Sequence, residues 1–164
     1  MFSFLKNHPF GVASHFDTSL VLTYAAPKQQ LQRFIPPCLS LDTFEDKWAF
    51  IAVAMVKTRN LRPKGFPEYL GNDFVLTGYR IFTRYGTSYG KRLRGLYIIR
   101  SETDKAKMAV LGNIFTHYNY QTTDISFVKH GGRIEVNSTR SNLSVTVEES
   151  NNEVALPGHS PFKD

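Results

Sequence analysis

Cysteine is nearly missing from the chain. Cys38 is the sole example in 164 residues, which rules out an internal disulfide and a thiolate cluster for zinc and fits a reducing compartment such as the cytoplasm. Flanked by Pro37 and Leu39, it reads as a small packed residue rather than a nucleophile. Long apolar runs are also missing. No stretch approaches the roughly 18–20 apolar residues that cross a bilayer, and Met1–Phe10 meets Lys6 and Pro9 before a signal-length segment forms, so we expect neither a membrane span nor export. The five histidines, at positions 8, 15, 117, 130 and 159, lack metal-ligand spacing. There is no Gly-x-Ser-x-Gly, no phosphate-cradling glycine loop and no dinucleotide fingerprint. The expectation is therefore no metal and no cofactor, and hydrolase, kinase and dehydrogenase chemistry lose their sequence support.

What is present describes an ordinary globular chain. Apolar residues make up 41% and charged residues 21%, and a domain of this size buries about two thirds of the surface of its unfolded chain, so residues 1–164 read as a single domain. The net charge of +6 is concentrated. Lys57 to Arg100 holds ten of the twenty Lys and Arg residues against only Glu68 and Asp73, which places any anion-attracting surface there.

Period and punctuation predict mostly strands. Ser19–Tyr24 reads as a strand, followed by a short helix over Pro27–Ile35 whose covered face carries Leu31, Phe34 and Ile35. Trp48–Val56 is apolar throughout and reads as a central strand buried on both faces. Lys57–Asp73, with Pro63, Gly65, Pro67 and Gly71, predicts a long loop. Phe74–Tyr85 and Leu93–Arg100 form an antiparallel hairpin around a turn at 86–90. Ser101-Glu102-Thr103-Asp104 has the look of an N-cap, opening a helix that stops near Gly112-Asn113. Tyr118–Lys129, Arg133–Ser138 and Leu143–Glu149 predict a meander covered on one side.

Two constellations stand out. On the hairpin, residues 79–100 interleave tyrosines with arginines and lysines, as a single-stranded nucleic-acid groove would. Strand alternation alone sends aromatics inward and cations outward, so this stays the weaker reading. Arg80 shares one strand face with Leu76, Gly78 and Phe82 while Val75, Thr77, Tyr79 and Ile81 share the other, and the sequence leaves open which face is the inner one. An inward Arg80 would be a buried cation in need of an anionic partner.

Phe34-Ile35-Pro36-Pro37-Cys38-Leu39-Ser40-Leu41-Asp42, the strand Trp48–Val56, the Arg62-Pro63 and Pro67 loop, and Tyr79-Arg80-Ile81-Phe82 together resemble the YqjF-like uncharacterised family of the acetoacetate-decarboxylase-like superfamily. The likeness covers most of residues 19–120 and, more loosely, the meander beyond. It implies a mainly β, α+β fold: an antiparallel β-barrel or curved sheet around an internal pocket, with two or three covering helices. Because family members continue past the segment matching Ser160–Asp164, it also implies an incomplete C-terminal end, with the barrel left open or completed by a second copy in a homodimer.

In true decarboxylases of this superfamily a lysine forms a Schiff base with the ketoacid, its pKa lowered by a neighbouring cation and an apolar pocket. Aligning Gly112–Tyr120 with the lysine-bearing segment puts Tyr120 at the lysine's place, and Leu76 falls where many relatives have a carboxylate. Lys105 and Lys107 are near in sequence but belong to a helix surface, where solvated lysines are the rule. The resemblance thus implies a small-molecule pocket without imine chemistry, in which Arg80 pairs with a carboxylate, Tyr118 and Tyr120 offer hydroxyls, His117 titrates near neutrality, and Trp48, Phe50 and Phe82 supply apolar walls. The alternatives are an enzyme of unassigned reaction on the same scaffold, and nucleic-acid binding through the hairpin.

Overall fold

A computed structural model describes residues 10–150, 158 and 160–162. The expectations for the first nine residues and for most of the tail from Ala155 onward lie outside the described residues. The order of elements is β1 (Val12–Pro27), α1 (Lys28–Gln32), β2 (Ser40–Leu41), β3 (Thr43–Phe44), β4 (Trp48–Pro63), a 3-10 turn (Glu68–Leu70), β5 (Asn72–Gly86), β6 (Arg92–Thr103), α2 (Ala106–Phe115), β7 (Tyr120–Thr122), β8 (Ser126–His130), β9 (Arg133–Ser138) and β10 (Leu143–Glu148). No helix among the described residues is long and apolar enough to cross a membrane.

The fold is mainly β, with two sheets. The larger runs β1-β4-β5-β6-β7, with β2 added on β5 and β3 on β4, and the smaller runs β10-β9-β8. The larger sheet ends on β1 and β7 and does not close into a barrel among the described residues, so of the two forms expected it is the open sheet that occurs. Register shifts in β1–β4, β4–β5 and β5–β6 bend its long strands, since an extra residue on one strand increases local twist.

One face of the large sheet carries the core. Odd-numbered residues of β4 and β5 alternate onto it, with Ile51 opposite Ile81 and Met55 opposite Thr77. At one end α1 and β2 cover it, packing Leu31, Ile35 and Leu41 on Ala49 and Ile81. At the other end the small sheet covers it, packing Phe127 and Val136 on Met55 and Val75. Met55, Ile81 and Val136 are fully buried, and each such side chain contributes about 1.5–3 kcal/mol through removal from water.

A chain of hydroxyls and carboxylates joins the small sheet to the large one. Ser138 Oγ donates to Asp124 Oδ1 at 2.6 Å and lies 3.1 Å from Thr123 Oγ1. Ser141 Oγ donates to the buried Glu102 at 2.6 Å, and Glu102 also accepts from Tyr79 Oη at 3.2 Å and pairs with Arg100 at 2.6 Å. Each polar group taken from water here gains a partner, as a buried network requires. Burial and the adjacent Glu102 carboxylate push the Tyr79 phenol up.

Several elements differ from their sequence reading, each for a non-local reason. Ser101–Thr103 are strand, not a helix cap, because they pair with β5 on one side and β7 on the other. Asp104 receives the Val75 N–H at 2.8 Å instead of capping a helix, and α2 begins at Ala106 and runs past Asn113 to Phe115. Residues 57–63 are strand rather than loop: they pair with β1 as far as Val12 opposite Pro63, and a left-handed Asn60 absorbs the bulge. The proposed meander is divided, since β7 joins the large sheet in parallel while only β8, β9 and β10 form a meander. Helix α1 is limited to Lys28–Gln32, and Phe34 is exposed beneath the Arg33 guanidinium instead of covering the core. Cys38 is exposed rather than packed.

Two outcomes test this arrangement. Met55→Ala should cost about 2–5 kcal/mol, the range for opening a cavity at a fully buried methionine, measured by urea unfolding. The Ser138 hydroxyl, aided by the Arg140 N–H, holds the Asp124 carboxyl at about 2, below its ordinary 3.8. That carboxylate therefore stabilises the fold above pH 4, and the stabilisation is lost as pH falls toward 2. Asp124→Asn should flatten the stability curve across this window, and an unchanged slope would remove Asp124 from the acid response.

Candidate functional site

The second face of the large sheet is built from the even-numbered residues of β4 and β5, with Thr58 opposite Phe74, Val56 opposite Leu76, Ala54 opposite Gly78 and Ala52 opposite Arg80. Helix α2 crosses one end of this face. Met108, Leu111 and Phe115 fall at helical spacing and meet Phe74 and Leu76 across a cavity of about 340 Å³. The third wall is the start of β1 and the chain just before it: Phe10 sets its ring edge-on to Phe115 at 5.0 Å, and Val12 and Phe16 follow. Phe16 and Tyr118 are lining residues that are also exposed to solvent.

Arg62, Asn72 and Thr116 in this lining are engaged by neighbouring groups. Arg62 donates from Nε to the Phe66 carbonyl at 3.0 Å and from Nη1 to the Asn60 carbonyl at 3.1 Å, and it pairs with Glu68 at 3.1 Å. Its charge is spent on the loop after β4. Thr116 Oγ1 accepts the Tyr118 N–H at 3.2 Å.

Arg80 stands next to the cavity, not in its lining. A register shift between Tyr79 and Arg80 marks a bulge against β6, the kind of irregularity that re-aims a side chain. The guanidinium folds back along its own strand over Gly78: a Cβ at that position would lie 3.2 Å from Nε and 3.3 Å from Nη2. Nε is buried and has no hydrogen-bond partner among the described residues.

Tyr120 links Arg80 to the cavity. It lines the cavity, and the Arg80 charge acts on its phenol. Two neighbours on α2 fix it. A Cβ on Gly112 would lie 2.3 Å from the ring, so only glycine allows the approach. The Asn113 amide makes both backbone bonds of Tyr120, accepting its N–H at 2.7 Å and donating to its carbonyl at 2.9 Å. Burial, and secondarily the Tyr118 phenol, push Tyr120 up to about 12 despite the opposing pull of Arg80. The Tyr118 and Tyr120 ring centroids are 6.1 Å apart, and Asn119 between them takes a left-handed conformation at φ 51°.

The structure thus brings Tyr118 and Tyr120 together in the lining, with the Arg80 charge acting on Tyr120 from outside it, and leaves the other candidates apart. His117 is exposed and does not line the cavity. Phe50 and Phe82 sit farther along the same face, their ring centroids 6.4 Å apart, with Phe162 of the tail 5.7 Å from Phe50. Trp48 lies beyond them with Lys47 over its ring. Lys105 and Lys107 are exposed, and neither reaches the lining. Sequence reasoning missed Met108, Leu111 and Phe115, although their i, i+3, i+7 spacing was a usable signal. It also missed Phe10, Val12 and Phe16, for which there was none.

On the basic hairpin, Arg84 and Arg94 both pair with Asp42, at 2.5 Å and 3.3 Å, and Arg100 pairs with Glu102. Tyr85 and Tyr89 point outward, not inward as alternation implied. With three of its arginines tied to carboxylates, the hairpin offers phosphates mainly Lys91 and Arg92.

Solved structures share this fold. The chain superposes on an acetoacetate decarboxylase from Legionella pneumophila at a TM-score of 0.58 with 13% identity, covering 88% of this chain and 51% of that one. It also superposes on the enduracididine biosynthesis enzyme MppR, complexed with the condensation product of pyruvate and imidazole 4-carboxaldehyde, at a TM-score of 0.60 with 15% identity, covering 89% and 58%. A pyruvate complex of MppR gives 0.57 and 14%, covering 84% and 55%. The chain spans little more than half the length of these structures. A family model described as an uncharacterized conserved protein matches residues 14–162. No curated protein matches the sequence.

If the packing against Gly112 holds Tyr120 in its dry position, an NMR pH titration of the tyrosine ring carbons should show one phenol near 12, absent in Tyr120→Phe. Gly112→Ala should bring that phenol back toward 10, and a phenol still near 12 in this variant would contradict the packing account.

Proposed function

The chain belongs to the DUF2071 family of uncharacterized conserved proteins on an acetoacetate-decarboxylase-like scaffold, and from that premise we propose that it binds a small carboxylate-bearing molecule, anchored by Arg80, without forming a covalent adduct. The reading rests on one observation: the Arg80 Nε, folded over Gly78 on the strand face whose Leu76 lines the cavity, is buried and has no partner among the described residues. A buried donor left unpaired costs about 1–3 kcal/mol, and more when charged. A carboxylate would supply a charge-assisted and potentially bidentate partner. That MppR holds pyruvate in one of its structures supports an acid as the ligand class.

The absence of imine chemistry in this reading follows from Tyr120. By the resemblance it stands where a Schiff-base lysine would be. A phenol held at about 12 stays protonated near neutral pH, so it can donate a hydrogen bond to a ligand oxygen but cannot condense with a carbonyl. Lys105 and Lys107, on the solvent side of α2, are the wrong side of the helix for that role. Lone Cys38 fits residence in the cytoplasm.

A thermal-shift panel of short ketoacids and apolar carboxylates tests the proposal. At a hundred times Kd a ligand adds about 2.7 kcal/mol, a rise of roughly 5–11 °C in a domain of this size. Arg80→Gln should abolish the rise, and borohydride should trap no adduct by mass spectrometry. A shift that persists in Arg80→Gln, or an adduct on Lys105 or Lys107, would overturn the reading.

A further inference from the structure

We infer that the ligand is a monocarboxylate with an unbranched apolar tail of medium length, and that Leu76 on β5 with Leu111 and Phe115 on α2 set the longest tail accepted. The inference rests on the carboxylate reading of Arg80 and goes on to name the rest of the molecule.

Size and chemistry both point away from a short ketoacid. At the liquid volume of a water, ~30 Å³, the 340 Å³ cavity holds on the order of ten heavy atoms. Pyruvate with its carboxylate at Arg80 would put only three heavy atoms beyond the carboxyl group, leaving most of the apolar wall without a partner. Most of the lining is apolar and rewards carbon over oxygen. Arg62 is spent on Phe66, Asn60 and Glu68, and the Asn72 amide faces the Leu61 and Leu70 carbonyls at 3.4 Å. A hydroxylated tail would lose water contacts here and recover few.

The geometry also orients the molecule. Tyr120 and Leu76 line the cavity, and Gly78, over which the Arg80 guanidinium folds, follows Leu76 on the same strand face. A head group at the guanidinium would therefore send its tail past the Tyr120 ring and Leu76, beneath α2, toward Phe115 and Phe10. The far wall of that path is the edge-on pair of Phe10 and Phe115, which limits length.

The test is isothermal titration of the full chain with straight-chain saturated acids of three to fourteen carbons, kept below their critical micelle concentrations. Kd should fall about fourfold per added methylene, the equivalent of about 0.8 kcal/mol per buried CH2, and stop falling near ten carbons. Leu111→Trp should move that break to shorter acids. Leu76→Phe narrows the cavity from the sheet side and keeps the test valid if the helix variant does not fold. Arg80-dependent binding with no length dependence, or a break that neither folded variant moves, overturns the inference and leaves the carboxylate reading standing. No binding at any length, or equal binding of the matched alkanol in wild type and Arg80→Gln, overturns both.

Discussion

The end of β6 has partners on both sides, and the second face of the sheet takes its shape from that. Ser101–Thr103 pair antiparallel with β5 and parallel with β7. A parallel neighbour cannot be reached by a tight turn, so the chain must cross over the sheet before returning. Helix α2 is that crossover, and the apolar residues on its inner side look onto β4, β5, Tyr120 of β7 and the start of β1. The cavity is what remains where Met108, Leu111 and Phe115 do not fill the space above Phe74 and Leu76.

The two faces of the large sheet are held by different means. The core face closes by hydrophobic contact at both ends and by a chain of hydroxyls and carboxylates from Asp124 through Ser138, Thr123 and Ser141 to Glu102. The cavity face has no comparable network among the described residues. Arg80 on this face folds back over Gly78, and its charge acts on the Tyr120 phenol. The core face is occupied by the elements packed on it, whereas the cavity face leaves space beside a buried guanidinium nitrogen without a partner among the described residues.

Much of the fold was legible in the sequence, and the failures have a common origin. Trp48–Val56 was readable because a strand between two others is apolar on both faces, and Arg133–Ser138 with Leu143–Glu148 because one covered face imposes alternation. Ser101–Asp104 misled because a capping pattern is local, whereas the pairing that overrides it involves residues from 76 to 122. Residues 57–63 misled because Pro63 and the left-handed Asn60 read as loop, yet a strand end and a bulge accommodate both. Arg80 stands out in the sequence, but its direction depends on the bulge beside it and on the space left by Gly78. The cavity could not be read at all, since one of its walls comes from residues about a hundred positions before α2.

Asn113 uses its side-chain amide as a neighbouring strand would use its main chain, making both hydrogen bonds of Tyr120, while the adjacent Gly112 gives up its side chain to the same tyrosine's ring. The last turn of the helix therefore begins the sheet edge before the strand arrives. This is a local code, Gly-Asn followed by Tyr after six intervening residues, in which the first letter makes room, the second sets the register and the third fills the place. A chain bearing that spacing after a helix would reveal, before any coordinates exist, a parallel edge strand that periodicity alone conceals.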